Sequence, residues 1–267
     1  MKRMKTRTLK ISSPAGRMKI IVLKPGERKP VPGILWIHGG GYVLGMASMV
    51  HMSCGKLLGR KYGAVVVSPA YRLAHTAPYP AALEDCYAAL EYMWDHADEL
   101  GVDRRRIIVG GESAGGGLAA AVCLYARDKG KVRIFAQLPL YPMIDCRDTE
   151  SSADNHGRVW NTARNHWGWK QYLGSLYHAE DISGYASPAH AADLRDLPKC
   201  YTFVSDGEPF YRETLDYAEH LRSAGVEAQA DVYPGNVHAF DMLMPWRKTS
   251  RAAKKKLCEV YEGWMKN

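Results

Sequence analysis

With 267 residues, 46% of them hydrophobic and 24% charged, the chain is long enough to bury one large core and too apolar to be disordered or low-complexity. A net charge of +8 raises nucleic acid or a membrane surface as a partner. The basic residues are interspersed with acids, however, and the densest runs, Arg104 to Arg106 and Lys254 to Lys256, adjoin apolar segments as solvated faces do, with no nucleic-acid reading motif beside them.

Residues 7 to 37 alternate extended runs with turn chemistry. Runs at 8–11, 18–23 and 34–37 predict three antiparallel strands, separated by Ser13-Pro14-Ala15-Gly16 and by a stretch from Pro25-Gly26 to Pro32-Gly33. His38-Gly39-Gly40-Gly41-Tyr42 follows the third strand directly. Three consecutive glycines let a backbone approach a ligand more closely than side chains permit, and ligands of open α/β sheets bind at the carboxyl edge of the strands. An oxyanion loop with inward N–H groups is therefore expected there.

From 43 to 144 the pattern alternates helix and strand, which implies a parallel sheet with helices on both faces. A mixed stretch near 49–61 precedes a strand at 64–67. Tyr79-Pro80-Ala81 opens a helix whose apolar positions 82, 86, 89, 90, 93, 97 and 100 keep helical spacing up to Gly101. The apolar run Ile107 to Val109 then leads through Gly110 into Gly111-Glu112-Ser113-Ala114-Gly115, a G-x-S-x-G pattern, and Leu118 to Ala126 reads as the helix leaving it. A strand turning straight into a helix strains the backbone at Ser113, requires small neighbours and lifts the hydroxyl above the sheet. At that helix N-terminus the N–H of Ala114 is free to donate to an oxyanion. A strand follows at 134–138.

Between Asp145 and Pro188 the strand rhythm stops. Trp169, Tyr172, Leu173 and Leu176 make an i, i+3, i+4, i+7 stripe, so residues 145–190 read as a helical, cap-like insertion within one domain covering 1–267. Lying over the carboxyl edge of the sheet, the insertion would wall a pocket with Trp160, Trp167 and Trp169, and Tyr42 beside it. The rhythm resumes with a strand at 200–204, then Ser205 to Phe210, then a helix with Leu215, Ala218 and Leu221 ended by Gly225. A strand at 228–233 leads to Pro234-Gly235-Asn236-Val237-His238, and a last helix carries 253, 257, 260, 261 and 264 on one face.

Acyl transfer through a serine needs a base, an acid to hold the base, oxyanion donors and a pocket. Ser113, a carboxylate after the 200–204 strand and His238 fall in the order Ser, acid, His, which is the α/β-hydrolase order.

Together, His38 to Tyr42, Gly111 to Gly116, Tyr71-Arg72-Leu73-Ala74 with Pro78 to Asp85, and Tyr233 to Phe240 resemble the hormone-sensitive-lipase-like carboxylesterases of the α/β-hydrolase fold, from about residue 33 onward. The resemblance implies a mostly parallel sheet of about eight strands, Ser113 as nucleophile, His238 as general base and acid, an oxyanion hole from the N–H groups of Gly40, Gly41 and Ala114, and His38 with Gly39 as loop-positioning residues. The family's acid is usually Asp before Pro; aligning on Tyr217-Ala218-Glu219 puts Glu208 there, with Asp206 as the alternative. Only about 37 residues precede His38, fewer than the family's N-terminal cap uses, which implies an open site or one covered by a second copy in a homo-oligomer. Ala77 stands where the family often has His.

The expected reaction is hydrolysis of small, short-acyl carboxylic esters. A small-molecule receptor on the same fold would not need to keep the base, and a serine peptidase needs an anchor for a peptide that is not evident here. No metal-ligand cluster or dinucleotide fingerprint is present, so no cofactor is expected. The six cysteines lack C-x-x-C spacing and read as reduced core residues. The basic N-terminus has no apolar segment behind it, and no apolar run approaches the length of a membrane span. A cytoplasmic protein without nucleic-acid or membrane partners is the expectation.

Overall fold

The computed structural model describes residues 3–26 and 30–266. The short β-branched and apolar runs become eight strands: β1 (Met4–Ser13), β2 (Gly16–Pro25), β3 (Val31–Ile37), β4 (Val65–Pro69), β5 (Val102–Glu112), β6 (Ala136–Leu140), β7 (Lys199–Val204) and β8 (Ala228–Val232). They form one sheet in the order β1-β2-β4-β3-β5-β6-β7-β8. β1 pairs antiparallel with β2, and β2 with β4; the other pairs are parallel.

The third strand departs from expectation. β3 runs parallel between β4 and β5 instead of extending the β1–β2 hairpin. β4 and β6 are buried along their whole length, so their apolar runs need cover on both faces, and only crossover helices supply it. Pro32 and Gly33 already belong to β3, and positions 27–29 of the turn expected before them lie outside the described residues.

The helices are α1 (Cys54–Tyr62), α2 (Ala81–Asp95), α3 (Ala97–Leu100), α4 (Ala114–Lys129), α5 (Thr162–Leu173), α6 (Tyr211–Ser223), α7 (Phe240–Leu243) and α8 (Lys248–Lys266). α2, α4 and α6 fill a core on one face of the sheet with Leu90, Leu118 and Leu221. α1 and α8 fill another with Leu58, Leu257, Tyr261 and Trp264. All seven apolar positions expected on one helix from 82 to 100 are buried, but the helix breaks at His96, whose φ of −102° and ψ of 24° leave the α region. The Arg104 guanidinium donates to the carbonyls of Trp94 (2.8 Å) and Asp95 (3.5 Å) at that break, as cations do at helix ends. Arg104 to Arg106 thus lie inside β5, which starts at Val102.

α5 stops at Leu173, where Gly174 has φ +57°, so Leu176 falls in a following 3₁₀ turn and is exposed; the expected stripe ends at Leu173. All six cysteines are free, and all but Cys146 are fully buried. No helix among the described residues is long and apolar enough to cross a membrane.

Candidate active site

Three strand ends converge on Ser113. The residue joins β5 to α4 with φ 58° and ψ −124°, a conformation costly for a side-chain-bearing residue and common where a site needs it. Its N–H donates to the Leu140 carbonyl (3.0 Å), and its own carbonyl accepts from Gly117 (3.0 Å) and Met143 (3.1 Å). Glycine is required on either side: a Cβ on Gly111 would strike the carbonyls of Gly115 and Ile37, and one on Gly115 those of Ile37 and His38. The turn is held by contacts from its own helix and from β3.

His238 lies in the loop after β8 and presents Nε2 to Ser113 Oγ at 2.9 Å. Its Nδ1 meets the Glu208 carboxylate in a short hydrogen bond. Glu208 follows β7, is buried, and accepts from the Ser205 N–H through its other oxygen (2.9 Å). The imidazole is flanked edge-on by Tyr141 and Phe210, with centroids 5.2 and 5.0 Å away. Asp206 points elsewhere: it is exposed and accepts from the Gly235 N–H (2.8 Å), bracing the His238 loop from outside.

The glycine loop abuts the serine corner. A Cβ on Gly39 would sit 2.8 Å from the Glu112 carbonyl and 3.2 Å from Ser113 Cβ. Gly40 and Gly41 have φ +118° and +59°, which glycine tolerates. Among the described residues, no loop or turn hydrogen bond uses the N–H of Gly40, Gly41 or Ala114. His38 is a buried ring stacked on Tyr71 at 4.3 Å, with Nδ1 bonded to the Gly39 carbonyl (2.8 Å) and its carbonyl accepting from the Tyr71 hydroxyl (2.9 Å). Burial pushes its pKa down to about 4, despite that carbonyl contact. The ring is neutral at pH 7 and tied to the loop.

The expected pocket wall divides. Trp160 lies against Gly41, where any Cβ would overlap its indole ring. A Cβ on Gly168 of α5 would come within 3.0 Å of the Gly41 carbonyl, so the segment between β6 and β7 does reach the glycine loop. Trp169 and Tyr42, in contrast, are core residues. Tyr42 stacks on Tyr172 at 4.0 Å and donates to the Met143 carbonyl (2.6 Å), and Trp169 is buried beside it. Trp167 is on the outer side of α5 and 45% exposed. Helical geometry separates it from Trp169, because residues two apart point to different faces.

A buried polar cluster behind the corner was not anticipated. Glu112 accepts from the Trp36 indole N–H (2.7 Å), while Asp241 accepts from the Tyr141 hydroxyl (2.8 Å) and the Cys54 thiol (3.4 Å). Burial, reinforced by Asp241, pushes the Glu112 pKa up to about 8. The signal in the sequence was a carboxylate closing the apolar run Ile107 to Gly111, the buried half of β5.

A family profile described as the α/β hydrolase fold matches residues 34–242. The esterase LipI of Mycobacterium tuberculosis is 32% identical over 237 residues, covering 87% of this chain and 73% of that protein. The arylesterase of Saccharolobus solfataricus is 30% identical over 238 residues, covering 88% and 76%. Among solved structures, a bacterial heroin esterase superposes with a TM-score of 0.92 at 36% identity, covering 96% of this chain and 83% of that one. With this sheet order and these motifs, the chain belongs to the hormone-sensitive-lipase-like family of the α/β-hydrolase fold.

Proposed function

We propose that this chain is a serine carboxylesterase acting on small carboxylic esters. The observation that carries the reading is the single imidazole of His238, hydrogen-bonded to the Ser113 hydroxyl on one nitrogen and to the buried Glu208 carboxylate on the other. Ser113 Oγ attacks the ester carbonyl as Nε2 takes its proton, and Glu208 holds the ring in the tautomer that leaves Nε2 basic. The N–H groups of Gly40, Gly41 and Ala114 receive the oxyanion. His238 then protonates the leaving alkoxide, and water repeats the sequence on the acyl-enzyme. His38 and Gly39 shape the loop and take no part in proton transfer.

Residues 145–190 form, in this reading, a cap-like insertion within a single domain, with Trp160 narrowing the acyl side against Gly41. Short acyl groups fit such a site best.

The test is covalent labelling with a fluorophosphonate together with turnover. Wild-type protein should label once, at Ser113, and Ser113→Ala should abolish the label and lower kcat by about 10⁴ to 10⁶. An unlabelled folded wild type would favour a receptor on this fold, and cleavage of peptide amides in preference to nitrophenyl esters would favour a peptidase.

A further inference from the structure

Away from Ser113, the fold brings three chemically unlike donors to one spot. Asp145 and Cys146 follow β6 at the start of the segment leading to α5, and His190 ends a 3₁₀ turn (Pro188–His190) near that segment's close. One ligand atom from each, the Asp145 carboxylate oxygen, Cys146 Sγ and a His190 ring nitrogen, lie within 4.8 Å of one another. Nothing in the sequence spacing suggested a cluster here.

Hydrogen bonds hold the frame around these donors. The Ser187 hydroxyl donates to the Ile144 carbonyl (2.8 Å) and accepts from the Cys146 N–H (3.0 Å). The Ala189 N–H donates to the same Ile144 carbonyl (3.1 Å), and the Ile144 N–H donates to the buried Glu213 (2.8 Å). His190 Nε2 already faces Asp145 Oδ1 at 2.8 Å. The donors also have access from outside: Cys146 lines a cavity of about 480 Å³ with Asp148, His166 and His178, and His190 lines a neighbouring one of about 370 Å³. Arg147 borders both cavities, but its guanidinium is turned to the Glu180 carbonyl (2.8 Å).

We propose that Asp145, Cys146 and His190 form a binding site for a divalent ion of the zinc type, which staples the two stems of the segment between β6 and β7. One thiolate, one imidazole and one carboxylate are a borderline-soft donor set that suits Zn²⁺ over Mg²⁺ or Ca²⁺. Three protein donors leave the fourth tetrahedral position to water from the adjoining cavity. The ion takes the place of the proton between Nε2 and Oδ1, and the thiol releases its own proton to the buffer. Because the donors come from both ends of the segment, binding ties the ends together and restrains what lies between, including Trp160.

The full-length chain, stripped with chelator and kept reduced, is titrated with Co²⁺ and then Zn²⁺. One equivalent of Co²⁺ should produce a thiolate-to-metal charge-transfer band that Zn²⁺ bleaches. The Cys146→Ser variant should lose the band, and His190→Ala should bind at least about tenfold more weakly. The other five cysteines are buried, so they do not supply the signal in folded protein. Zn²⁺ at a hundredfold excess over Kd should raise Tm by about 5 °C and slow hydrogen exchange across residues 145–190 in wild type but not in Cys146→Ser. Absence of the band, a band that survives Cys146→Ser, or binding only at millimolar metal would overturn the site.

Discussion

At the scale of single residues, the acid proposed for the site is the carboxylate that meets an imidazole nitrogen. Glu208 is buried with one oxygen on His238 and the other on the Ser205 N–H, whereas Asp206 faces solvent and ties down Gly235. Glu208→Gln should therefore lower kcat by about 10³ to 10⁴, because an amide can stabilise the wrong ring tautomer and does not offset the imidazolium charge. Asp206→Asn should change kcat by no more than a few-fold, with stability altered by about 0.5 kcal/mol or less. Steady-state kinetics on one nitrophenyl ester checks both; equal losses would remove the distinction.

At the scale of elements, the corner between β5 and α4 works because two glycines let β3 and α4 approach it. Gly115→Ala places a methyl group against the Ile37 and His38 carbonyls, and neither can retreat without disturbing β3. A destabilisation of about 2–4 kcal/mol is expected, readable as a shifted urea midpoint, with activity lost even where the fold survives. The segment between β6 and β7 makes a second test. Trp160 meets the glycine loop at Gly41, so Trp160→Ala should open the acyl side and move the kcat/KM optimum along a nitrophenyl ester series from acetate towards hexanoate or beyond. An unchanged chain-length profile would show that the indole only packs. Trp167 and Trp169 differ by helix geometry, one on the outer side of α5 and the other in the core, while Trp160 precedes α5 and meets the glycine loop.

For the whole molecule, two buried groups set opposing pH trends in stability. Glu112 has its pKa raised to about 8 from 4.5, so the folded state holds its proton more tightly than the unfolded state. Its contribution is complete below pH 4.5 and is lost as pH rises towards and through 8. His38 has its pKa lowered from 6.5 to about 4, so the folded state resists protonation; that contribution is complete above 6.5 and is lost as pH falls through 4. Glu112→Gln can keep an acceptor for the Trp36 N–H while removing the charge. Its urea midpoint should exceed that of wild type by more at pH 9 than at pH 5, a difference of a few kcal/mol in unfolding free energy. Parallel midpoint curves for the two proteins would mean that Glu112 ionises in the fold without penalty.

The sequence by itself determined the existence and order of all eight strands, though not that β5 begins at Val102, together with the α/β class, the serine corner and the order Ser113, carboxylate, His238. Those features are written in neighbouring residues: two-residue and helical periods, glycines where a backbone must bend, and motifs whose parts are contiguous. Only the tertiary structure decided that β3 lies parallel between β4 and β5, since pairing partners far apart in the chain compete for the same edge. It also decided that Glu208 and not Asp206 faces the imidazole, that Tyr42 and Trp169 pack inward, and that Asp145, Cys146 and His190 come within reach of one another. Each of these depends on which atoms a side chain meets once distant segments have packed, and a local pattern carries no record of that.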